Sequence, residues 1–506
     1  MNDLGFPLGV RLTHWFNFLF LSLLVRSGIA ILAAHPKLYW NSDCLPGTEW
    51  IRFTRMKLPK DQLWTSKDEE EDYPAWLSLP GGISNKTLGL GRYWHFTSAL
   101  GWLVAGVLYL VILFATDQWR RLVPTSWQVF PEALRDMGMY LTLRTPSPGA
   151  SYSPTPFNAL QQLTYFLVIF WLAPHMILTG LAMSPLIESR FPWYPRLFFG
   201  RQSARSLHFL GMTALVLFFI IHMVMVVWHG FLKEMNLMVL DRASSGGTDW
   251  TGAAIGLGII LAVVLFHVAA NAISENAPRL THRMLSSVYD PVRTVLFHRG
   301  VSVPSYDKSK ISPFFRTNGH PPIAAYPEAQ GGDETYERLY QGQFADYRLE
   351  VSGRVENPLS LALDDLRALP RQEQITMHHC IQGWTAIGQW AGVPVSEILD
   401  RCKPLPGARY LIFHSYQFHE SGKRYYEGID FVMARQPQTI LAYEMNGAPL
   451  PIQHGAPVRL RIETKLGFKM VKFLRAIEVV DDYRKIGGGR GGVREDEQQY
   501  DIGAAI

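Results

Sequence analysis

Five long apolar runs in the first 276 of 506 residues constrain the fold of this chain more than any other feature. Each run is close to the roughly 20 residues that a helix needs to cross a hydrocarbon layer of about 30 Å. Trp and Tyr side chains concentrate at their ends, as at a membrane–water interface. No such run follows residue 276, so the sequence predicts a membrane part followed by a soluble part. The runs are Leu12–Ala33, Trp94–Ala115, Leu160–Met183, Leu207–Trp228 and Ala253–Ile273.

Composition excludes several classes of function. Charged residues make up 18% of the chain, against about 25% in soluble proteins. A net charge of +5 over 506 residues is too dilute to indicate a nucleic-acid partner. The three cysteines, Cys44, Cys380 and Cys402, are too few for a disulfide scaffold or a four-cysteine iron–sulfur cluster.

The second half of the sequence reads as a soluble α+β domain. After Tyr347, short β-branched or aromatic runs alternate with short helical stretches, and Asn446-Gly447 is typical of a hairpin turn. The Pro-rich segment before this domain predicts a tether with some structure of its own. The tail after Ile486 is rich in Gly and charged residues, which predicts disorder. The predicted regions are a transmembrane domain (1–235), a loop with a fifth membrane helix (236–276), a linker (277–345), a soluble domain (346–485) and a disordered tail (486–506).

Histidines inside the membrane part carry its functional signal, because imidazole in hydrocarbon is costly. His208 and His222 lie 14 residues apart on the fourth helix. That spacing is about 40° from a whole number of turns, so both face one side, with a rise of about 21 Å. One helix therefore offers a ligand at each of two depths in the membrane.

Alternating helix directions supply partners for both histidines. His14 on the first helix comes to the depth of His222, and His95 on the second helix comes to the depth of His208. Two bis-histidine pairs at two depths are the axial ligands that two b-type haems need. The alternative is that these are buried histidines bonded to neighbouring helices.

Three further histidines have no partner assigned by depth. His229 lies seven residues beyond His222 and has either a role in a quinone pocket or an exposed place at the helix end. For His175, and for His267 on the fifth helix, a cofactor role and a packing role both stay open.

The first four helices resemble a known family. Arg11–Trp15, Ser27-Gly28, His35–Trp40 and the His208/His222 pair are similar to the b-type cytochrome subunits of thiosulfate reductase, formate dehydrogenase and Ni/Fe hydrogenase. The resemblance implies a membrane all-α bundle, with a four-helix dihaem core that exchanges electrons with membrane quinone. The fifth transmembrane helix is an addition to that core.

Cys380 is the chemically distinctive residue of the soluble half. It follows His378 and His379 at the end of a predicted strand. From the residues alone it is an inert small hydrophobe, a metal ligand together with the histidines, or a nucleophile. A thiolate is also a soft ligand suited to a metal such as molybdenum.

A second resemblance bears on these alternatives. The segments Val355–Pro358, Met377–Trp384, His454–Arg459 and Gly467–Lys472 are similar to the sulfite-oxidase-type molybdopterin domain, a family that includes methionine-sulfoxide reductases. The resemblance implies that Cys380 ligates molybdenum.

The same resemblance implies further cofactor contacts. It places the Ser415 hydroxyl near the cofactor, and His454, Arg459 and Lys472 against the pterin and its phosphate. His454 stands where the reductase branch has Asn and the oxidases have His, which favours the oxidase side.

Together, these features predict a membrane-bound molybdenum oxidoreductase. It would pass electrons between sulfite, thiosulfate or a sulfoxide-like compound and the quinone pool through two b haems, since molybdenum works in two-electron steps and haem in one-electron steps. The alternative is a dihaem electron carrier whose C-terminal domain is a docking module without a cofactor. A homo-oligomer is compatible with either.

Sidedness is contested within the sequence. An internal N-terminus and five spans place the molybdenum domain on the outer, periplasmic face of the inner membrane. The first and third loops, which are then external, carry twelve Lys and Arg against six in the second and fourth, contrary to the positive-inside tendency. We expect the outer face, because a fifth helix serves to cross the membrane.

Overall fold

The computed structural model describes residues 5–53, 88–146, 157–242, 248–296, 302–325, 332–419, 421–498 and 500. The chain forms two compact units, each assembled from separate stretches of sequence. The helical unit comprises Met1–Gly28, Tyr93–Leu181 and Leu207–Ala277, and the sheet unit comprises Ile29–Arg92, Ala182–Ser206 and Pro278–Ile506.

Ten α-helices are described before residue 300. They are α1 (Leu8–Ala33), α2 (Leu88–Ala115), α3 (Val129–Leu141), α4 (Ala159–Leu167), α5 (Ala173–Ala182), α6 (Pro185–Arg190), α7 (Arg201–Trp228), α8 (Phe231–Leu240), α9 (Thr251–Asn276) and α10 (Pro278–Leu296). A π-helical turn, Val168–Leu172, joins α4 to α5 into one span.

The five predicted spans correspond to α1, α2, α4–α5, α7 and α9, which are long and apolar enough to cross a membrane. At most 22% of the most apolar window of each span is buried within the protein. Apolar helices that leave most of their residues uncovered suit a lipid surrounding rather than the core of a soluble protein.

The fifth span is held in the helical unit by a close contact with α8. The backbone N–H of Gly252, at the start of α9, donates a 2.8 Å hydrogen bond to Asn236 Oδ1. A Cβ at position 252 would lie 2.5 Å from Asn236 Cα, so only glycine permits this approach.

The sheet unit contains two five-stranded sheets and a short ribbon. Its strands are β1 (Lys37–Leu38), β2 (Ile51–Arg52), β3 (Arg348–Gly353), β4 (Leu359–Ala362), β5 (Gln372–His379), β6 (Thr385–Pro394), β7 (Tyr410–Phe418), β8 (Arg424–Asp430), β9 (Thr439–Met445), β10 (Ala448–Pro449), β11 (Arg459–Ile462) and β12 (Leu474–Val480). Its other helices are α11 (Glu334–Gln341), α12 (Leu363–Ala368), α13 (Val395–Cys402), α14 (Phe431–Ala434) and α15 (Val493–Gln498).

The two large sheets enclose the main core. One has the order β10-β9-β6-β5, with β11 also paired to β9, and the other has the order β4-β3-β12-β7-β8. β3 and β12 are parallel and the remaining pairs are antiparallel. Buried side chains of both sheets, such as Leu349, Phe413, Leu441 and Leu460, belong to one cluster. The α+β architecture is as predicted.

Two expectations differ from the structure. The prediction of a disordered tail over 486–506 is wrong for 493–498, because these residues form α15, in which Val493 and Glu495 are fully buried. Within the region expected to be a tether, Phe315 and Arg316 are also buried. The segment 302–325 is therefore part of the packed sheet unit.

Candidate functional site

Two pairs of facing histidines lie in the helical unit. The ring centres of His14 and His222 are 6.4 Å apart, and those of His95 and His208 are also 6.4 Å apart. Metal–imidazole nitrogen bonds of about 2.0–2.1 Å place the ring centres of two imidazoles on opposite sides of one metal ion about 6.4 Å apart. The structure therefore brings together the two pairs that helix direction predicted.

Hydroxyl groups orient the His95/His208 pair. Ser27 Oγ donates to the carbonyl of Leu23, so it accepts from His95 Nδ1 at 3.0 Å. Thr179 Oγ1 donates to the carbonyl of His175 and accepts from His208 Nδ1 at 3.0 Å. With the proton on Nδ1 in both rings, both Nε2 lone pairs are left for a metal.

The His14/His222 pair is held mainly by rings. Phe218 stacks on His222 at 5.7 Å, and the Tyr165 hydroxyl lies 3.5 Å from His222 Nδ1. His14 Nδ1 is buried without a hydrogen-bond partner among the residues described.

The other three membrane histidines bond to neighbouring groups. His175 Nε2 lies 3.1 Å from the carbonyl of Leu207, and His229 Nε2 lies 2.9 Å from the Tyr140 hydroxyl. His267 bonds to side chains of α1. Among the described residues, none of the three faces another histidine as the two pairs do.

These pairs fit haem better than a bare metal ion. In the described part of the chain, no group of three or more His, Cys, Asp or Glu side chains is arranged to hold a metal. Two facing imidazoles complete the coordination of a metal whose other ligands come from a macrocycle.

Cys380 lies in a tight turn between β5 and β6 in the sheet unit. Its N–H donates to the carbonyl of Trp384, and its carbonyl accepts from the N–H of Gly383, both at 3.1 Å. Gly383 has a φ of +113°, a left-handed conformation that favours glycine. Cys380 is only 2% exposed, and its Sγ lies 3.1 Å from Asn318 Nδ2.

The first turns of α7 anchor the Cys380 turn. Arg201 Nη1 and Gln202 Nε2 donate to the carbonyl of Gly383 at 3.1 and 2.9 Å. Gln202 also donates to Thr385 Oγ1 at 3.1 Å. Sequence reasoning missed these residues and Asn318, because they lie far from Cys380 in the sequence and carry no motif.

Arg459 is a buried cation with incomplete neutralisation. Its Nη1 and Nη2 donate to the carbonyls of His454 and Met470 at 2.9 and 3.2 Å. Its Nε is buried and has no hydrogen-bond partner within the described ranges. Burial and nearby Arg461 lower the pKa of Arg459, against an opposing effect of Glu463.

Lys472 is a second cation of this kind. Its Nζ donates to the carbonyls of Gly319 and Gln453, each at 3.0 Å. Burial, followed by the charge of Arg459, lowers the pKa of Lys472 well below its usual value. Buried cations satisfied mainly by carbonyls fit an anionic group such as a phosphate, which would supply the missing charge.

Lys469, in the same sequence motif, is already neutralised. Its Nζ lies 2.9 Å from Glu427 Oε2 and also bonds to Glu495 on α15, and all three side chains are fully buried. The structure thereby separates the two lysines of the Gly467–Lys472 segment, and only Lys472 is left for a phosphate.

Ser415 and His454 flank Lys472. Ser415 Oγ donates to the carbonyl of Lys472 at 2.6 Å and accepts from the N–H of Gln417 at 2.9 Å, so it orders the backbone here. Burial, with the charges of Lys472 and Arg459, holds the pKa of His454 well below its usual range. Cys380, Ser415, His454, Arg459 and Lys472 all lie in the sheet unit.

His378 has another partner and is not part of a Cys380 metal cluster. Its Nδ1 accepts from Arg461 Nη1 at 3.1 Å, and Arg461 in turn binds Glu463 at 2.6 Å. Burial, followed by the charges of Arg461 and Arg459, holds the pKa of His378 well below its usual range.

Tyr500 is an unexpected member of the Cys380 neighbourhood. It is 4% exposed, its ring lies 4.9 Å from Phe468, and it belongs to the buried cluster that contains Cys380 and Trp384. Burial raises the pKa of Tyr500 to about 12. Nothing in the sequence of the tail indicated this position.

Comparison with known families matches both parts of the chain. Residues 5–240 match the family model "Prokaryotic cytochrome b561", and residues 338–486 match "Oxidoreductase molybdopterin binding domain".

Several relatives align with one part of the chain or the other. The putative protein-methionine-sulfoxide reductase subunit YedZ1 of Azospira oryzae is 37% identical over 188 residues, which are 37% of this chain and 64% of the relative. The protein-methionine-sulfoxide reductase catalytic subunit MsrP of Xanthomonas campestris is 34% identical over 149 residues, 28% of this chain and 46% of the relative. The chain thus spans about half to two thirds of the length of these relatives.

Among solved structures, the sulfane dehydrogenase SoxCD of Paracoccus pantotrophus aligns with a TM-score of 0.25 and 24% identity, over 30% of this chain and 40% of that one. The two family matches cover separate regions and agree with the helical spans and the two-sheet fold described above. Residues 5–240 are therefore similar to prokaryotic cytochrome b561, and residues 338–486 are similar to the molybdopterin-binding domain of oxidoreductases.

Proposed function

We propose that this protein is a membrane-bound molybdenum oxidoreductase that reduces a sulfoxide with electrons from the quinone pool, carried by two b haems. The observation that carries the proposal is that the sheet unit contains both the buried Cys380 turn and two incompletely neutralised buried cations. The same chain also has two pairs of facing histidines in its helical unit. A docking module without a cofactor has no need to bury Arg459 and Lys472 against carbonyls, since buried cations without anions are costly.

Each residue of the candidate site has a distinct part. The Cys380 sulfur would ligate molybdenum, and Asn318 Nδ2 at 3.1 Å would donate to that sulfur. Arg459 and Lys472 would bind the phosphate of the pterin, with His454 beside them as a neutral imidazole. A bound molybdenum–pterin centre supplies two-electron oxygen-atom transfer.

The names of two relatives and the electron balance support a sulfoxide substrate, and we give them more weight than His454, the residue that favoured the oxidase side. The relatives from Azospira and Xanthomonas are named as protein-methionine-sulfoxide reductase subunits. Reduction of a sulfoxide to a sulfide and water consumes two electrons and two protons. A haem carries one electron at a time, so two haems in series suit the delivery of both electrons.

The number of candidate membrane spans supports an outer location for the molybdenum domain. The described residues include five helices that are long and apolar enough to cross a membrane, and the molybdenum domain follows the fifth. With the N-terminus inside the cell and successive spans alternating in direction, the residues after α9 lie on the periplasmic side.

The test combines cofactor content with activity. Protein purified in detergent from a host that makes the pterin should contain one molybdenum and two haems per chain, and should reduce methionine sulfoxide. Cys380→Ser should abolish this reduction. The matched control is Cys402→Ser, since Cys402 is an equally buried free thiol on α13. Two haems without molybdenum would refute the proposal, and turnover of sulfite but not sulfoxide would refute the substrate class.

A further inference from the structure

Arg26 is the only Lys or Arg residue within the five apolar runs of the sequence. It lies seven residues before the end of α1, which corresponds to a depth of about 10 Å. The residue is only partly buried within the protein. A charge at that depth marks a functional site by default and needs polar partners.

The fifth membrane helix provides the partners of Arg26. Its Nη1 lies 3.2 Å from His267 Nδ1, and Ser22 Oγ lies 2.9 Å from His267 Nε2. Because Ser22 Oγ already donates to the carbonyl of Leu19, it accepts from His267, so the ring is neutral with its proton on Nε2. His267 Nδ1 thereby accepts from Arg26 Nη1, which also lies 3.5 Å from the His267 carbonyl, so Nε and Nη2 are the groups left for a ligand.

Asn271 adds an acceptor on the same face of α9. It follows His267 by four residues, so the two side chains are neighbours on the helix surface. Its Oδ1 is buried and has no hydrogen-bond partner among the described residues. A donor must reach it, because a buried unpaired amide oxygen costs free energy.

This site adjoins the His95/His208 pair. Ser27 follows Arg26 directly in α1 and bonds to His95 Nδ1 at 3.0 Å. On α2, Trp94 precedes His95 and donates from Nε1 to Ser274 of α9 at 3.1 Å. An electron donor bound at Arg26 would therefore be close to His95, a ligand of the predicted haem.

We propose that Ser22, Arg26, His267 and Asn271 form a site for the head group of a quinol. A hydroquinone presents both an oxygen that accepts from Arg26 and an O–H that donates to Asn271. A lipid phosphate is an acceptor only and would leave Asn271 Oδ1 unpaired. Oxidation of one hydroquinone to the quinone releases two electrons and two protons, the number that reduction of one sulfoxide consumes.

This inference rests on the proposed exchange of electrons with quinone, and the experiment separates the two. Haem content and reduction by dithionite are measured first in detergent-purified full-length protein. Decylubiquinol is then mixed with the oxidised protein to measure the rate of haem reduction, and binding of a hydroxyquinoline N-oxide is measured by fluorescence quenching.

The site variants are Arg26→Gln and Asn271→Leu, with Trp102→Phe as control and His229→Gln as the test of the alternative quinone pocket. Trp102 is a matched control, because it also bonds to a side chain of another membrane helix, Asn17 Oδ1 at 2.6 Å. We expect both site variants to lose about tenfold or more in reduction rate and in binding, as for a lost hydrogen bond to a charged or buried group. Haem content, dithionite reduction and the quinol kinetics of Trp102→Phe should stay at the wild-type level.

Asn271→Leu keeps the test valid if Arg26→Gln unfolds, because it leaves the Arg26–His267 and Ser22–His267 contacts in place. If the rate of haem reduction and the inhibitor binding of the site variants stay within twofold of wild type, this location is refuted. If only His229→Gln lowers them, the quinol binds near His229 instead. A change in co-purifying phospholipid with unchanged quinol kinetics would identify a lipid site and overturn the proposal. A wild-type protein with haem that decylubiquinol does not reduce would instead contradict the proposed function.

Discussion

Replacing Lys469 with Met should destabilise the sheet unit without removing a cofactor contact. Lys469 lies between Glu427 and Glu495, and all three side chains are fully buried. Met has a similar length but no charge, so the variant leaves two carboxylates together in the interior. Removing one partner of a buried ion pair costs about 3–5 kcal/mol. At about 2–4 °C per kcal/mol, the unfolding temperature should fall by about 6–20 °C.

The pH dependence of that loss has a definite sign. In the wild type, burial and Glu495 raise the pKa of Glu427, and Lys469 lowers it. Without Lys469 the pKa of Glu427 rises further, so above pH 4.5 the folded state binds more protons than the unfolded state. Stability of the variant therefore increases as the pH falls. The difference in stability between the wild type and the variant should therefore become smaller as the pH is lowered from 8 to 5.

Differential scanning calorimetry of the full-length protein measures both effects. Arg371→Met is the control, since Arg371 binds Glu444 at 2.7 Å with side chains 43% and 30% exposed, and such surface pairs contribute about 1 kcal/mol or less. If Lys469→Met unfolds within 2 °C or so of wild type but loses molybdenum, Lys469 binds the cofactor and the assignment of Lys472 is refuted.

Three other changes test the candidate sites. His222→Ala should remove one of two haems and leave the other, as measured by pyridine haemochrome; loss of both or neither would contradict the pairing. Thr179→Val should weaken haem binding at the His208 pair by about 10- to 100-fold, measured by haem titration, since it deletes the acceptor of the Nδ1 proton. Asn318→Ala should lower the reduction potential of the molybdenum centre in electron paramagnetic resonance titrations, because it removes an N–H donor from the Cys380 sulfur. An unchanged potential would show that this contact is only structural.

The membrane part was predicted best, because the helical period and the thickness of the membrane together restrict where its residues can lie. The membrane sets the length and the alternating direction of the spans, and the helix sets which residues share a face. The 14-residue spacing of His208 and His222, together with the alternating helix directions, therefore sufficed to predict which histidines face each other. The bonds of Ser27 and Thr179 to the histidines were not predicted, because a hydroxyl on a membrane helix bonds its own backbone in most positions.

The sheet unit was predicted less completely, because its site is assembled from distant segments. The Pro-rich sequence around Asn318 predicts a loop and gives no sign of a site. Loops nevertheless line functional sites when a rigid scaffold positions them. The glycines before α15 favour disorder locally, but the bond of Glu495 to Lys469 holds that helix. Neither contact leaves a periodic signal in the sequence.

The Lys and Arg residues of the membrane loops bear on the predicted sidedness of the protein. The positive-inside tendency concerns Lys and Arg residues in short loops near the membrane. In the third loop, Arg205 donates to the carbonyls of His35 and Lys37 at 2.7 and 2.9 Å, and Arg201 donates to Gly383. Both guanidinium groups thus have structural partners around the Cys380 turn. Even with both counted, the third loop carries four basic residues against six in the second and fourth together. The excess on the expected outer side therefore comes from the first loop, whose length of about sixty residues weakens the rule.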